Sequence, residues 1–307
     1  MNSVRIPLAL AILVAATAGL AGQTPRPPYV DPEGLRQISA HVHVIPDNSV
    51  PAVPNVGIIV GDKALLVVDT GLGAPNGAKV LAAAQKLAGS RALYLVTTHV
   101  HPEHDLGAEA FPPASRLIRS ADQNKDIAEF GLRLAHVFAV RSSAHTELLK
   151  GAAFRKADIV FERSYELELG GVRAQIVAMG ANHTRGDTAI WIEPDRVLFS
   201  GDVAMLAQPS FASPYSSLSH WLTSLDRLEA LKPETIVPSH GPNGAGAAFI
   251  TGYRAYLTEV RDRTAAEKQA GRTFEQAIAA VTAAMAERYP DRGRLRGAIR
   301  AAFAEAR

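Results

Sequence analysis

Cysteine is absent from all 307 residues of this chain. Disulfides are therefore excluded, and any metal site must be built from histidine, aspartate and glutamate rather than thiolates. An excess of one charge is also missing. The 32 basic and 30 acidic side chains leave a formal net charge of +2, which gives no basic footprint for nucleic acid and no acidic tail. There is no Gly-rich phosphate loop, internal repeat or low-complexity tract. What remains is ordinary globular composition, 47% hydrophobic and 20% charged, enough to bury a sizeable core in one large domain or two modest ones.

One apolar run stands apart. "IPLALAILVAATAGLA" follows Arg5 and ends in small residues, the pattern of a secretory signal over residues 1–22. It is short for a bilayer span, and no cysteine follows to carry a lipid. The expected outcome is a periplasmic or secreted protein with no stable membrane association after cleavage. Residues 23–35 read as a Pro-rich lead, residues 36–244 as the main domain and residues 245–307 as a helical extension.

Strand patterns dominate two blocks of the main domain. "NVGIIVGDKALLVVDTG" reads as a hairpin turning at Gly61-Asp62. "APNGAKVLAAAQKLAG" has helical spacing, with Val80, Leu81, Ala84 and Leu87 on one side and Gly89 as a stop. "RALYLVTT" and "SRLIRS" are short strands. Residues 120–150 read as helix, with Ile127, Phe130, Leu134, Val137 and Phe138 at three- and four-residue steps. Strands resume in "DIVFERSYELELGGVRAQIVAMG", "TAIWIEP" and "RVLFSGD". An amphipathic helix with Trp221, Leu222, Leu225 and Leu228 inward follows, then the strand "ETIV". Strand blocks each followed by helix predict an α/β or α+β layered fold rather than a bundle.

Metal-competent side chains collect just past the strands. Thr98–Gly107, "THVHPEHDLG", holds His99, His101, Glu103 and His104. His183 follows "RAQIVAM", Asp202 follows "RVLF" and His240 follows "ETIV". Strand ends on one rim are where a fold brings distant residues together. In His-x-His an extended backbone puts both rings on one side, so His99 and His101 can share a cation. In the same extended geometry Glu103 and His104 diverge, so His104 could serve a second ion. A carboxylate can bridge two cations, and Asp202 is the natural bridge. Zinc, iron and manganese all suit this ligand set.

These motifs resemble those of the metallo-β-lactamase superfamily. "THVHPEHDLG" is similar to its His-x-His-x-Asp-His signature, with glutamate in place of aspartate. "LLVVDTG" with Asp69, "NHTRGD", "LFSGDV" and "VPSHG" resemble its other motifs in order and spacing from about residue 36 to 243. The resemblance implies an αββα sandwich of two mixed β-sheets flanked by helices, with metals at one rim and a C-terminal helical extension. It implies a zinc-dependent hydrolase holding one or two ions. His99, His101 and His183 would hold the first ion, and His104 and His240 the second with Glu103. Asp202 would bridge, and a metal-held hydroxide would be the nucleophile. Asp69 would be structural.

Glu103 is one methylene longer than the family's aspartate, so it could bind the second ion, displace it, or act as a base. Aspartate at 202 favours branches that cleave ester, lactone, thioester, phosphoester or sulfate bonds of a small-molecule substrate. β-Lactam hydrolysis is one alternative, and a non-haem iron oxidoreductase similar to persulfide dioxygenases is another.

Further residues are read two ways. Asn182 could donate to an oxyanion or serve as a turn residue, and Tyr215 could reach substrate or simply pack. His41 and His43 could form a ligand pair but read first as the polar face of a strand, His220 could lie near Tyr215 but reads first as a packing or surface residue, and His136 and His145 read as structural or exposed. The loop "PDNSVPAVPN" could overhang the site. The C-terminal helices read as packed on the outer face of the sandwich, with a homodimer surface as the sharper reading.

Overall fold

The computed structural model describes residues 26–205 and 212–306. The leader assigned to residues 1–22 lies outside the described residues, as does the start of the Pro-rich lead. Among the described residues the strands form two sheets. The first runs in chain order: β1 Arg36–Gln37, β2 Val42–Ile45, β3 Val56–Val60, β4 Ala64–Val68, β5 Ala92–Val96, β6 Arg116–Ser120 and β7 Ile159–Phe161. β1 to β4 are antiparallel, with β3 and β4 joined through Gly61-Asp62 as the sequence predicts. β4 to β7 are parallel, so each link is a crossover. Helix α1, Gly73–Ala88, makes the first, ending at Gly89 with a φ of 57°. Helix α2, Pro102–Asp105, with a 3-10 turn over Leu106–Ala110, makes the second.

The third crossover departs from the single helix predicted for residues 120–150. It comprises α3 Ala121–Asp126, a π-helical turn Ile127–Gly131, α4 Leu132–Ala139 and α5 Ser143–Leu148. The wider turn rotates the residues after it, so one apolar stripe cannot run the whole length. Of the five residues expected on that stripe, Phe138 is buried while Val137 is 48% exposed.

The second sheet has the order β13-β12-β11-β10-β9-β8. Its strands are β8 Ser164–Glu168, β9 Arg173–Gly180, β10 Asp187–Ile192, β11 Val197–Gly201, β12 Thr235–Pro238 and β13 Gly244–Ala245. β11 and β12 are parallel, and helix α6, Leu218–Ala230, lies between them in sequence. Helices α7 Gly246–Gln269, α8 Phe274–Met285 and α9 Arg292–Glu305 complete the chain.

The continuous apolar runs are explained by burial on both faces. In β4, Ala64, Leu66 and Val68 meet Ile190, Ile192, Val197 and Phe199 between the sheets. The alternate residues Leu65 and Val67 pack against Val80, Ala83 and Ala84 of α1. β10 divides the same way, with Ala189 and Trp191 facing Trp221 and Leu225 of α6. The result is the αββα sandwich, with α7 and α9 packed over α6 in the outer layer.

Strand direction then decides what shares a rim. β4 and β5 are parallel, and β9 runs with β11 and β12 because two antiparallel steps restore direction. All five end on segments that carry Asp69, His99, His183, Asp202 and His240. A hydrogen bond from Thr188 N–H to the Thr98 carbonyl, 2.8 Å, ties the two sheets at this rim.

Candidate metal centre

Each residue proposed from sequence as a ligand reaches this rim. Three groups of ligand atoms lie within 4.8 Å of one another: His99, His101 and His183; His99, His104 and Asp202; and Glu103, His104 and His240. His101 Nδ1 is 3.0 Å from both His99 Nε2 and His183 Nε2. Nitrogens of several imidazoles facing one another at that distance are the arrangement a shared cation requires.

The outward nitrogens are held from behind. His99 Nδ1 lies 3.1 Å from Thr98 Oγ1, His104 Nδ1 lies 2.8 Å from Asp69 Oδ2, and His240 Nδ1 lies 3.0 Å from the Val53 carbonyl. Such partners fix ring orientation and leave the other nitrogen's lone pair facing inward. Asp69 also accepts from Thr98 N–H at 2.7 Å and Thr98 Oγ1 at 2.9 Å, with its own backbone at a φ of 62°. A buried, left-handed aspartate costs conformational energy that its three partners offset. The loop "PDNSVPAVPN" joins this support. Asn55 donates to the Pro238 and Gly241 carbonyls, and Asp47 accepts from Gly241 N–H, so the loop braces the turn that carries His240.

Electrostatics suit cation binding. Burial, and then the neighbouring imidazoles, lower the pKa of His99 and His101 well below the usual histidine value. Both therefore stay neutral lone-pair donors at neutral pH. Burial also opposes the His104 charge, but the Asp69 carboxylate overrides it and raises the pKa to about 9. Burial disfavours the Asp202 carboxylate, yet His183, His240, His104 and His101 outweigh it and hold its pKa below the usual range. Glu103 Oε2 and His104 Nε2 are buried with no hydrogen-bond partner. Buried polar atoms are seldom left so, and a cation would satisfy both. The donor set thus fits a metal.

The geometry around Glu103 differs from the sequence expectation. Residues 102–105 are not extended; Pro102 starts a helical turn with His101 as its N-cap. Glu103 and His104 therefore converge, Oε1 lying 3.9 Å from His104 Nε2. Gly107 permits this helix to sit close. A Cβ there would come within 2.0 Å of the Thr70 carbonyl oxygen, while Thr70 N–H and Oγ1 both donate to the His104 carbonyl.

The two residues suggested for substrate contact have protein partners of their own. The Asn182 side chain is buried and donates to the Met179 and Gly180 carbonyls, which commits its donors to the turn rather than to an oxyanion. Tyr215 is 40% exposed, donates to Glu129 at 2.5 Å and stacks on Phe130. Of the other histidines, His41 pairs with Asp195 at 2.6 Å, and His220 meets the Met179 carbonyl at 2.7 Å.

Sequence reasoning missed Arg141 and the environment of His145. The Arg141 charge lies near enough to act on His101 and His145, and the Glu103 charge to act on Arg141 and His145. Neither Arg141 nor His145 sits in a ligand-like spacing, and only the packing of α4 and α5 brings them near.

The layering and the histidine-rich rim define an αββα metal-site fold. Residues 50–240 match the profile of the metallo-beta-lactamase superfamily, and the chain belongs to that superfamily. It is 27% identical over 212 residues to the acyl-coenzyme A thioesterase MBLAC2 of Gallus gallus, covering 61% of this chain and 72% of that one. It is 23% identical over 228 residues to a linear primary-alkylsulfatase of a Pseudomonas species, covering 62% of this chain and 42% of that one. The stereoselective inverting sec-alkylsulfatase Pisa1 from Pseudomonas sp. superposes with a TM-score of 0.71 at 16% identity. That match covers 88% of this chain and 49% of Pisa1. The chain thus spans less than half the length of either sulfatase.

Proposed function

We propose that this protein is an exported metal-dependent hydrolase that cleaves an ester, thioester, lactone or related bond such as a sulfate ester. The observation that carries the reading is the convergence of His101 Nδ1 with His99 Nε2 and His183 Nε2 at 3.0 Å, beside the unpartnered Glu103 Oε2 and His104 Nε2. We assign zinc at two positions. His99, His101 and His183 would hold one ion, Glu103, His104 and His240 would hold the other, and Asp202, whose carboxylate groups with His99 and His104, would serve as the anionic ligand they share. Bound zinc would supply Lewis acidity and a water that ionises near neutral pH.

The chain's own residues do the rest. Thr98, Asp69 and the Val53 carbonyl hold three imidazoles in fixed orientation. Asp202 stays ionised to low pH, so it remains an anionic ligand throughout the neutral range. Glu103 has one oxygen 3.9 Å from His104 Nε2 and a second, buried one without a hydrogen-bond partner, which places the carboxylate to join the second ion or, where that ion is absent, to act as a base. The names of the thioesterase and alkylsulfatase relatives support a hydrolytic reaction on a small molecule. Export rests on the leader pattern of residues 1–22.

The test is elemental analysis of the purified protein together with a screen of ester, thioester, lactone, sulfate, phosphodiester and β-lactam substrates. His101→Ala is expected to lose metal and to lower turnover by more than about a hundredfold. Undiminished turnover of every substrate by His101→Ala would sink the reading.

A further inference from the structure

The site described so far would hold a metal and a reacting bond, and the rest of a substrate needs a further contact. One cation beside it makes no side-chain hydrogen bond or ion pair among the described residues. Arg141 lies in the elbow between α4 and α5, its N–H donating to the Phe138 carbonyl at 3.1 Å. Its guanidinium carbon sits 3.4 Å from the centre of the Phe138 ring. Phe138 is buried among Leu72, Leu106, Leu148 and Leu149, and its ring centre is 6.1 Å from that of His101. The guanidinium is therefore one aromatic ring away from a proposed ligand.

Arg141 is set apart by its place, over a ring that lies 6.1 Å from the proposed ligand His101, and by the contrast with several paired arginines. Arg119, Arg185, Arg254 and Arg288 are all ion-paired. Arg141 is exposed, and no hydrogen bond or ion pair of its guanidinium occurs among the described residues. Stacking on one face leaves the planar fork of N–H donors unspent at its edge, the geometry that binds an oxyanion in a bidentate manner. His145 stands next to it. Its Nδ1 lies 2.9 Å from Ser142 Oγ, while its Nε2 is buried with no partner. The charges of Arg141 and Glu103 both act on this ring.

We propose that Arg141, stacked on Phe138 and assisted by His145, forms an oxyanion-binding subsite that selects substrates carrying a carboxylate, sulfate or phosphate group away from the bond that is cleaved. Phe138 sets the distance between that anion and the metal ligands. Contact with the Phe138 ring restricts the guanidinium, and its planar fork is pre-organised, so less side-chain entropy is lost for each hydrogen bond an anion forms. For its turnover arm the inference rests on the hydrolase reading; its binding arm does not.

The experiment uses the full-length, metal-loaded protein with Arg141→Gln and Arg141→Lys. In the binding arm, calorimetry measures hexanoate, hexanesulfonate and hexyl phosphate against neutral hexanol, with metal content determined for every protein. Wild type is expected to prefer at least one anion, and the arm that binds best identifies the oxyanion. Arg141→Gln should weaken that anion about tenfold with metal content retained, and Arg141→Lys should recover only part, because it keeps the charge and loses the fork. In the turnover arm, a p-nitrophenyl ester with a terminal carboxylate is compared with its neutral analogue. The ratio of their kcat/KM values should fall about tenfold in Arg141→Gln, mainly through KM.

No anion preference in wild type would overturn the proposal. So would an unchanged ratio in Arg141→Gln, full recovery by Arg141→Lys, or equal losses on the charged and neutral probes. If no ester is turned over, the hydrolase reading fails on its own, and the binding arm still decides the role of Arg141.

Discussion

His104 is the residue at which the electrostatics of the site are most opposed. Burial argues for a neutral ring, the Asp69 carboxylate at 2.8 Å argues for a charged one, and the carboxylate prevails. With no cation beside it, the ring keeps its proton up to about 9. Two consequences follow with definite sign. The folded-state pKa lies above the unfolded value of 6.5, so the stabilisation from this pair is complete below that value and is lost as pH rises through about 9. A metal must displace the same proton, so affinity should rise with pH over the same window and metal uptake at pH 7 should release a proton. Asp69→Asn removes the carboxylate that retains this proton. Proton release, read by calorimetry in buffers of different ionisation enthalpy, should then fall by about one per chain. The same count in both proteins would disprove the assignment.

At the scale of elements, the short helix α2 matters more than its four residues suggest. It carries Glu103 and His104, and its last residue, Asp105, pairs with Arg119 of β6 through Oδ1 at 2.6 Å and Oδ2 at 2.9 Å. Both side chains are buried, and Thr97 adds a hydrogen bond of 3.1 Å to the same carboxylate. Removing one partner strands a charge in the interior, which costs about 3–5 kcal/mol. Asp105→Ala should therefore destabilise the fold by that amount in urea unfolding and reduce metal content at the Glu103 and His104 group. A loss below about 1 kcal/mol would show the pair to be solvated and irrelevant to the helix. Gly107 makes a related prediction. Gly107→Ala would push α2 off the Thr70 carbonyl, so it should lower metal occupancy while leaving the far-UV circular dichroism close to wild type. Unaltered occupancy would mean the close approach is dispensable.

For the molecule as a whole, four layers share two sheets, so no layer can be removed without exposing another. Leu66 lies in the inter-sheet core, whereas both tryptophans, Trp191 and Trp221, lie in the core between the second sheet and its helices. Leu66→Ala should cost about 2–5 kcal/mol. Because the layers unfold together, tryptophan fluorescence and circular dichroism should report one shared, shifted midpoint. Two separate transitions would count against a single cooperative unit. Much of this architecture was legible beforehand. The doubly buried strands read as continuous apolar runs, and Gly61-Asp62 and Gly89 marked a real turn and a real helix end. The segment 120–150 was not legible in detail, because a π turn moves the apolar register without any change in composition.

The candidate ligand types and their order along the chain were determined by sequence alone, since with no cysteine and histidines clustered past strand ends few other donors were available. Sequence could not say how the side chains face one another, and there the tertiary structure decided. It turned Glu103 toward His104 by making residues 102–105 helical, and it committed the Asn182 amide to its own turn. It brought Arg141 to the site across Phe138. The physical reason is common to all three. Residue type is a local property, whereas convergence depends on strand direction, helix register and the packing of segments far apart in the chain.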